Sequence, residues 1–234
     1  MILYINGDSH TAAAEAVNPH AFAEDDSQYF YMGRAPHPDN LYVSWGRILS
    51  NVLKAILHCD AESAASNDRI LRTTRAWLEN NKKDWYRTLI IIQWSTWERE
   101  EWLHQAQYYQ VNGSGIDQVP QELQEKYRQY ILGIDWTTKT QQAHDMIWNF
   151  HRELDQQGIK HVFFNGNNSF DQIVDQKSWG SSYIHPYDKS QTYHALLQSA
   201  GFNTVAPQSW HYGADAHQWW SRYLKDYLIT NKIL

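Results

Sequence analysis

One cysteine, Cys59, among 234 residues leaves no partner for an internal disulfide, which excludes a cross-linked extracellular scaffold. A lone thiol suits a reducing compartment, and its ordinary role is that of a small buried hydrophobe. Long apolar runs are also missing. Nothing approaches the ~18 consecutive apolar residues of a membrane span. The chain opens directly on an apolar strand with no basic leader, so no signal peptide is read and the expected location is the cytoplasm. Basic charge is scarce: 20 Lys and Arg face 26 Asp and Glu, for a formal net charge of −6. The pair Lys82-Lys83 is too short to count as a basic run, so neither nucleic acid nor a membrane surface is expected as a partner. The 12 histidines include no His-Glu-x-x-His and no Cys/His cluster, so no metal is expected. Asn112-Gly113-Ser114-Gly115 lacks the strand before it and the lysine after it that a phosphate loop requires. No cofactor is expected.

What the chain does have is aromatic bulk, with 12 Trp and 15 Tyr. Most of it suits a core, since each ring buries a large area. The length fits one α/β domain over residues 1–234. Residues 2–6 and 88–93 read as strands buried on both faces. Residues 55–59, 161–164 and 203–206 read as further strands. Helices are expected over 41–54, 69–80, 120–132, 137–157, 191–200 and 215–230, the last with Trp220, Tyr223, Leu224, Tyr227 and Leu228 as its apolar stripe. Residues 18–40 read as a surface excursion or lid, and 105–120 as a loop. Asp215 and Gln218 have capping-box spacing. The alternation predicts a three-layer α/β/α fold around a five-stranded parallel sheet.

In such a sheet the strand carboxyl ends share one rim, and ligands bind there. The opening strand runs into Gly7-Asp8-Ser9 and then a small-residue helix through Ala12, Ala13, Ala14 and Ala16. Gly7 would permit the turn, and Asp8 and Ser9 could cap the helix. Ser9 is then either a mere cap or a nucleophile. A nucleophile needs a base and oxyanion donors. His211 and His217 are the candidate bases. The donors would be the Ser9 N–H, an N–H at the Ala64-Ala65 turn and a side chain near Ser95.

With these residues in view, the chain resembles the SGNH (GDSL-type) hydrolase superfamily over most of its length. The first block is Gly7-Asp8-Ser9. The second resembles Ala64-Ala65-Ser66-Asn67-Asp68-Arg69-Ile70, where the family usually has Gly at the Ala64 position. The third falls at Gln93-Trp94-Ser95-Thr96, against the usual Gly-x-Asn-Asp. The last falls at Gln208 to His211, against Asp-x-x-His. The run 93–99 is similar to a variant found among marine phage and environmental proteins, which adds the virion as an alternative location to the cytoplasm.

The resemblance implies a flavodoxin-like fold and a serine esterase in which His211 is the base and Ser9, Ala64 and Ser95 hold the oxyanion. It also leaves two gaps. Ser95 is shorter than the usual Asn, and Gln208 removes the carboxylate that would orient His211. Asp8, Asn67, Arg69, Trp94, Arg99 and Trp210 are expected to meet substrate, though Asn67 serves equally as a helix cap and Arg99 as a surface partner of Glu98. The aromatic rim of Trp94, Trp97 and Trp210 suggests an O-acyl carbohydrate or other small ester. The competing expectation is a catalytically impaired glycan-binding or phage structural module. A sulfotransferase-type reading ranks last, because Asp8 stands where a cation would be needed.

Overall fold

The computed structural model describes residues 1–23, 34–113 and 115–234. The strand β1 (Ile2–Asn6) leads to α1 (Pro38–Tyr42) and α2 (Trp45–Val52), then β2 (Ile56–Cys59) and α3 (Asn67–Asn80). After β3 (Thr88–Trp94) come β4 (Glu100–His104) and β5 (Gln107–Val111), then α4 (Gln124–Leu132) and α5 (Trp136–Gln156). The chain closes with β6 (Lys160–Asn165), α6 (Tyr193–Ser199) and α7 (Ala214–Thr230). Among the described residues no helix is long and apolar enough to cross a membrane.

Four strands form a parallel sheet in the order β2-β1-β3-β6. The period-2 alternation of side chains sorts its residues onto two faces. Tyr4, Ile90, Ile92, Trp94 and Phe163 pack under α3 and α5 with Trp77, Ile147 and Phe150. Leu3, Ile5, Ile91, Val162 and Phe164 pack under α2, α6 and α7 with Trp45, Leu197, Trp220 and Leu224. The expected three layers are present, in the flavodoxin-like strand order less its last strand.

The expected fifth strand does not join. Thr204 makes a single antiparallel bridge to Tyr212. Val205, Ala206 and Pro207 are exposed, so this segment has no apolar face to bury against the sheet. The helix expected over 41–54 is broken in two, because Ser44 caps α2 by accepting from the Arg47 N–H at 3.2 Å. The expected capping box at Asp215 is not formed; Gly213 is the N-cap of α7, and the Asp215 carboxylate accepts from the Ala216 N–H at 2.8 Å.

The expected loop at 105–120 contains a hairpin instead. β4 and β5 pair antiparallel with His104 opposite Gln107. Gln105 and Ala106 fill the turn with φ of 48° and 64°. Two positive φ values in a two-residue loop normally call for Asn-Gly or Gly-Gly, so Gln105-Ala106 carries no turn signal. Trp102 and Val111 of the hairpin form a small separate core with Val119 and Tyr127. Arg72 of α3 grips Glu101 through Nε at 2.7 Å and Nη2 at 3.0 Å, which docks the hairpin beside the sheet rim. Of the expected excursion over 18–40, residues 24–33 lie outside the described residues. Its described ends are tied together by Asn40, whose Oδ1 accepts from the Val17 and Asn18 N–H groups at 3.0 and 2.8 Å.

Candidate active site

The segment after β1 departs first from expectation. Residues 9–18 are a succession of turns and bends rather than a helix. The Asp8 carbonyl accepts from the Thr11 and Ala12 N–H groups, each at 3.0 Å. Ala13 and Glu15 then take φ of 56° and 63°, which ends any helical repeat. Asn40 captures the next two N–H groups, so tertiary contacts override the alanine propensity. Ser9 therefore caps no helix. Gly7 is required for space rather than for a left-handed φ: a Cβ there would lie 2.5 Å from Thr11 Oγ1 and 2.8 Å from Gln93 Oε1.

A cavity of about 530 Å³ opens on this rim, within the usual range for small-ligand sites. Its wall takes Ser9 from the end of β1, Ala64 from the turn after β2, Thr96, Glu98 and Arg99 from the end of β3, and Asn167 from the end of β6. Trp210 and His211, from the segment before α7, join it together with Glu15, and Phe22, Asn112 and Gln118 also line it. The cavity thus lies at the carboxyl ends of the strands and spans the β1/β3 switch point.

Ser9 and His211 share this cavity. Ser9 is 7% exposed. The ring of its neighbour His10 lies edge-on to His211, with centroids 5.8 Å apart. His211 Nδ1 is 2.8 Å from Glu15 Oε2, and Ser209 Oγ donates to the same oxygen at 2.7 Å. The His211 N–H donates to Ser209 Oγ at 3.0 Å. Burial alone would raise the Glu15 pKa, but the hydrogen bonds from His211 and Ser209 outweigh it and hold the carboxyl below its usual range. An ionised carboxylate only accepts, so Nδ1 carries the proton, which in the neutral ring leaves Nε2 as the acceptor. No sequence pattern pointed to Glu15. The only signal would have been an acid within one short turn of the candidate serine.

Two residues of this wall have a backbone N–H to spare. Neither the Ser9 nor the Ala64 N–H has an acceptor among the described residues. Ala64 has φ 67°, which explains why glycine suits the position.

Other expected contacts are not brought to the cavity. The Ser95 hydroxyl donates to Asp8 Oδ2 at 2.8 Å and accepts from Arg99 Nη1 at 3.0 Å. Its one proton is engaged, so it has none for an oxyanion. Asp8 is 1% exposed, and its other oxygen accepts from the His10 N–H at 3.0 Å. Burial opposes its charge, but His10, Arg99 and the His10 N–H and Ser95 bonds hold its pKa down. Asp8 is thus buried beneath the site and is not on the wall of this cavity. Asn67 is neither a cap nor a wall residue of this cavity: Ser66 caps α3, and Asn67 clasps Ser95 through the backbone, accepting at 2.8 Å and donating at 3.2 Å. Arg69 is buried against Glu62 at 2.6 Å.

The aromatic rim shrinks to one ring. Trp94 is fully buried against Phe163 and Phe150. Trp97 is stacked on Phe170 with centroids 4.8 Å apart. Trp210 remains, 65% exposed at the cavity mouth. Arg99 does reach the cavity, paired with Asp8 at 3.1 Å rather than with Glu98. His217 is buried, and its Nδ1 accepts from the Trp45 N–H at 3.3 Å, which ties α7 to α2. Asn167, not among the expected site residues, brings a side-chain amide to the wall, with Nδ2 3.3 Å from His10 Nε2.

No family model matches this chain, and no curated protein matches it. Among solved structures, it is similar to a protein from Desulfitobacterium hafniense DCB-2 assigned to the lipolytic G-D-S-L family, with 12% identity, a TM-score of 0.36 and 100% of each chain covered. A likeness at that score carries no argument about this chain, whose fold and site stand on the strand order and side chains described above.

Proposed function

We propose that the protein is a serine hydrolase that cleaves a small ester by acyl transfer to Ser9. The observation that carries this reading is one cavity shared by the Ser9 hydroxyl and a histidine whose Nδ1 is already anchored. Such a histidine offers Nε2 as the base. In the reaction, Ser9 Oγ attacks the ester carbonyl as its proton passes to His211 Nε2. The tetrahedral oxyanion is held by the Ser9 and Ala64 N–H groups. Collapse breaks the C–O bond, and the leaving alkoxide takes the proton from His211. Water then attacks the acyl-enzyme, giving a proton to Nε2 that returns to Ser9 Oγ as the acid departs.

The cavity favours a neutral, hydroxyl-rich substrate. Its one cation among the described wall residues, Arg99, is paired with Asp8, and Glu15 and Glu98 line the same wall. An anionic ester would meet these carboxylates. Trp210 offers a flat apolar face of the kind that sugar rings stack on. An O-acylated carbohydrate is the substrate class we favour.

One observation supports the second reading, a glycan-binding module without turnover. Ser95 has no proton left for an oxyanion, and loss of one such donor costs ~10²–10³ in rate. The test separates the two. Wild-type protein incubated with p-nitrophenyl acetate and a fluorophosphonate probe should hydrolyse the first and be labelled at residue 9 by the second, and Ser9→Ala should lose both. Ester hydrolysis that survives Ser9→Ala overturns the mechanism. Glycan binding by unlabelled wild-type protein supports the module.

A further inference from the structure

The proposed base is gripped by a residue 196 positions away. Glu15 Oε2 meets His211 Nδ1 at 2.8 Å across that separation. The contact is not a loose surface pair. Ser209 Oγ bonds the same carboxylate oxygen and also receives the His211 N–H, so three groups close a small ring that fixes the direction of the imidazole. Gln208, by contrast, is exposed.

We infer that Glu15 is the positioning carboxylate of His211, supplied by the turn that follows the nucleophile rather than by the segment that carries the base. The inference rests on the reading of Ser9 and His211 given above. Glu15 keeps its charge and takes no proton. It holds the proton on Nδ1 in the resting state, and it faces the positive imidazolium that forms when Nε2 accepts the Ser9 proton. Two other histidines face His211, and neither brings charge near neutrality: burial pushes His10 down to about 4 and His217 down to about 3. Glu15 is thus the carboxylate in direct contact with the base.

Glu15→Gln keeps the size of the side chain but offers an amide that can bond the wrong tautomer. It is expected to lower kcat by ~10³–10⁴-fold with KM within about three-fold, as when an orienting carboxylate becomes an amide in a serine triad. Glu15→Asp, which keeps the charge, should recover about ten-fold over Glu15→Gln. A role in holding the fold alone would move none of these together. Independently of activity, ¹⁵N NMR of wild-type His211 should show the neutral ring protonated at Nδ1, and Glu15→Gln should shift it toward Nε2–H.

A wild-type enzyme that labels at Ser9 while Glu15→Gln retains turnover within three-fold overturns the role of Glu15 and leaves the Ser9 mechanism standing. A wild-type ring protonated at Nε2 overturns it as well. Absence of labelling and turnover in wild-type protein defeats the Ser9 reading, and the tautomer measurement then still decides whether Glu15 sets the ring.

Discussion

Ala64 shows how a single residue can strain a site without losing its chemistry. At φ 67° its Cβ is crowded by the following carbonyl, a conformation that costs an L-residue roughly 1–2 kcal/mol. Glycine would relieve that and give back part of the gain through a freer unfolded chain. Ala64→Gly is therefore expected to stabilise the fold by about 0.5–1 kcal/mol, a rise of ~2 °C in Tm for a domain of this size. A drop in Tm on thermal unfolding would show that the alanine methyl packs productively. At this scale the sequence was informative about identity and silent about partnership. Ser9, Ala64 and His211 line one cavity, and strand-end positions and block spacing were enough to pick out that they would meet. Asp8, Ser95 and Asn67 were misjudged because their partners are one another, brought together only by β1 and β3 lying side by side. Cys59 is half-buried, and desolvation pushes its thiol up to about 12, far from any reactive range.

Among the elements, the turn after β1 is held by a side chain from β3. Gln93 is fully buried, and its Oε1 accepts from the Asp8 N–H at 3.2 Å and from Thr11 Oγ1 at 3.1 Å. Gly7 and Gly166 leave the space it occupies, since a Cβ at either would run into the amide. Gly7→Ala should destabilise by about 1–3 kcal/mol through overpacking. Because Thr11 Oγ1 is the nearest obstacle, Gly7→Ala with Thr11→Ala should recover part of that loss, a coupling readable from a double-mutant cycle in urea. Strictly additive losses would refute the clash. Long periodic elements such as β3, α5 and α7 were legible from pattern alone. The hairpin and the run of turns after β1 were not. The hairpin turn uses Gln105 and Ala106 where the rules expect glycine. The alanine run has helical propensity, but propensity is worth tenths of a kcal/mol per residue, and the Asn40 and Asp8 bonds outweigh it.

The whole molecule should be sensitive to acid through its buried histidines. His161 accepts at Nε2 from His151 Nδ1 at 2.8 Å and donates from Nδ1 to the Ile159 carbonyl at 2.8 Å. Burial pushes His10 and His161 down to about 4 and His217 down to about 3. The unfolded chain binds these protons near pH 6.5, so between 6.5 and 4 the unfolded state is the more protonated one. Stability then falls as pH falls, by up to about 1.4 kcal/mol per pH unit for each such histidine. Asp8 and Glu15, held below the usual carboxylate range, add to the loss at still lower pH, since their contribution is present above the unfolded pKa and disappears as they protonate. Tm should decline steadily from pH 7 to pH 4, and less steeply in His161→Gln. A flat Tm over that interval would show that these rings are already charged in the fold.

The order of the four sheet strands and of the long helices between them, the two-faced sheet and the shared rim followed from the sequence, because burial imposes periods of 2 and 3.6 that a chain cannot hide. The partners within the site were decided only by tertiary structure. A hydrogen bond between residues 15 and 211 leaves no local pattern; it exists because a sheet edge and a turn bring two distant side chains within 2.8 Å.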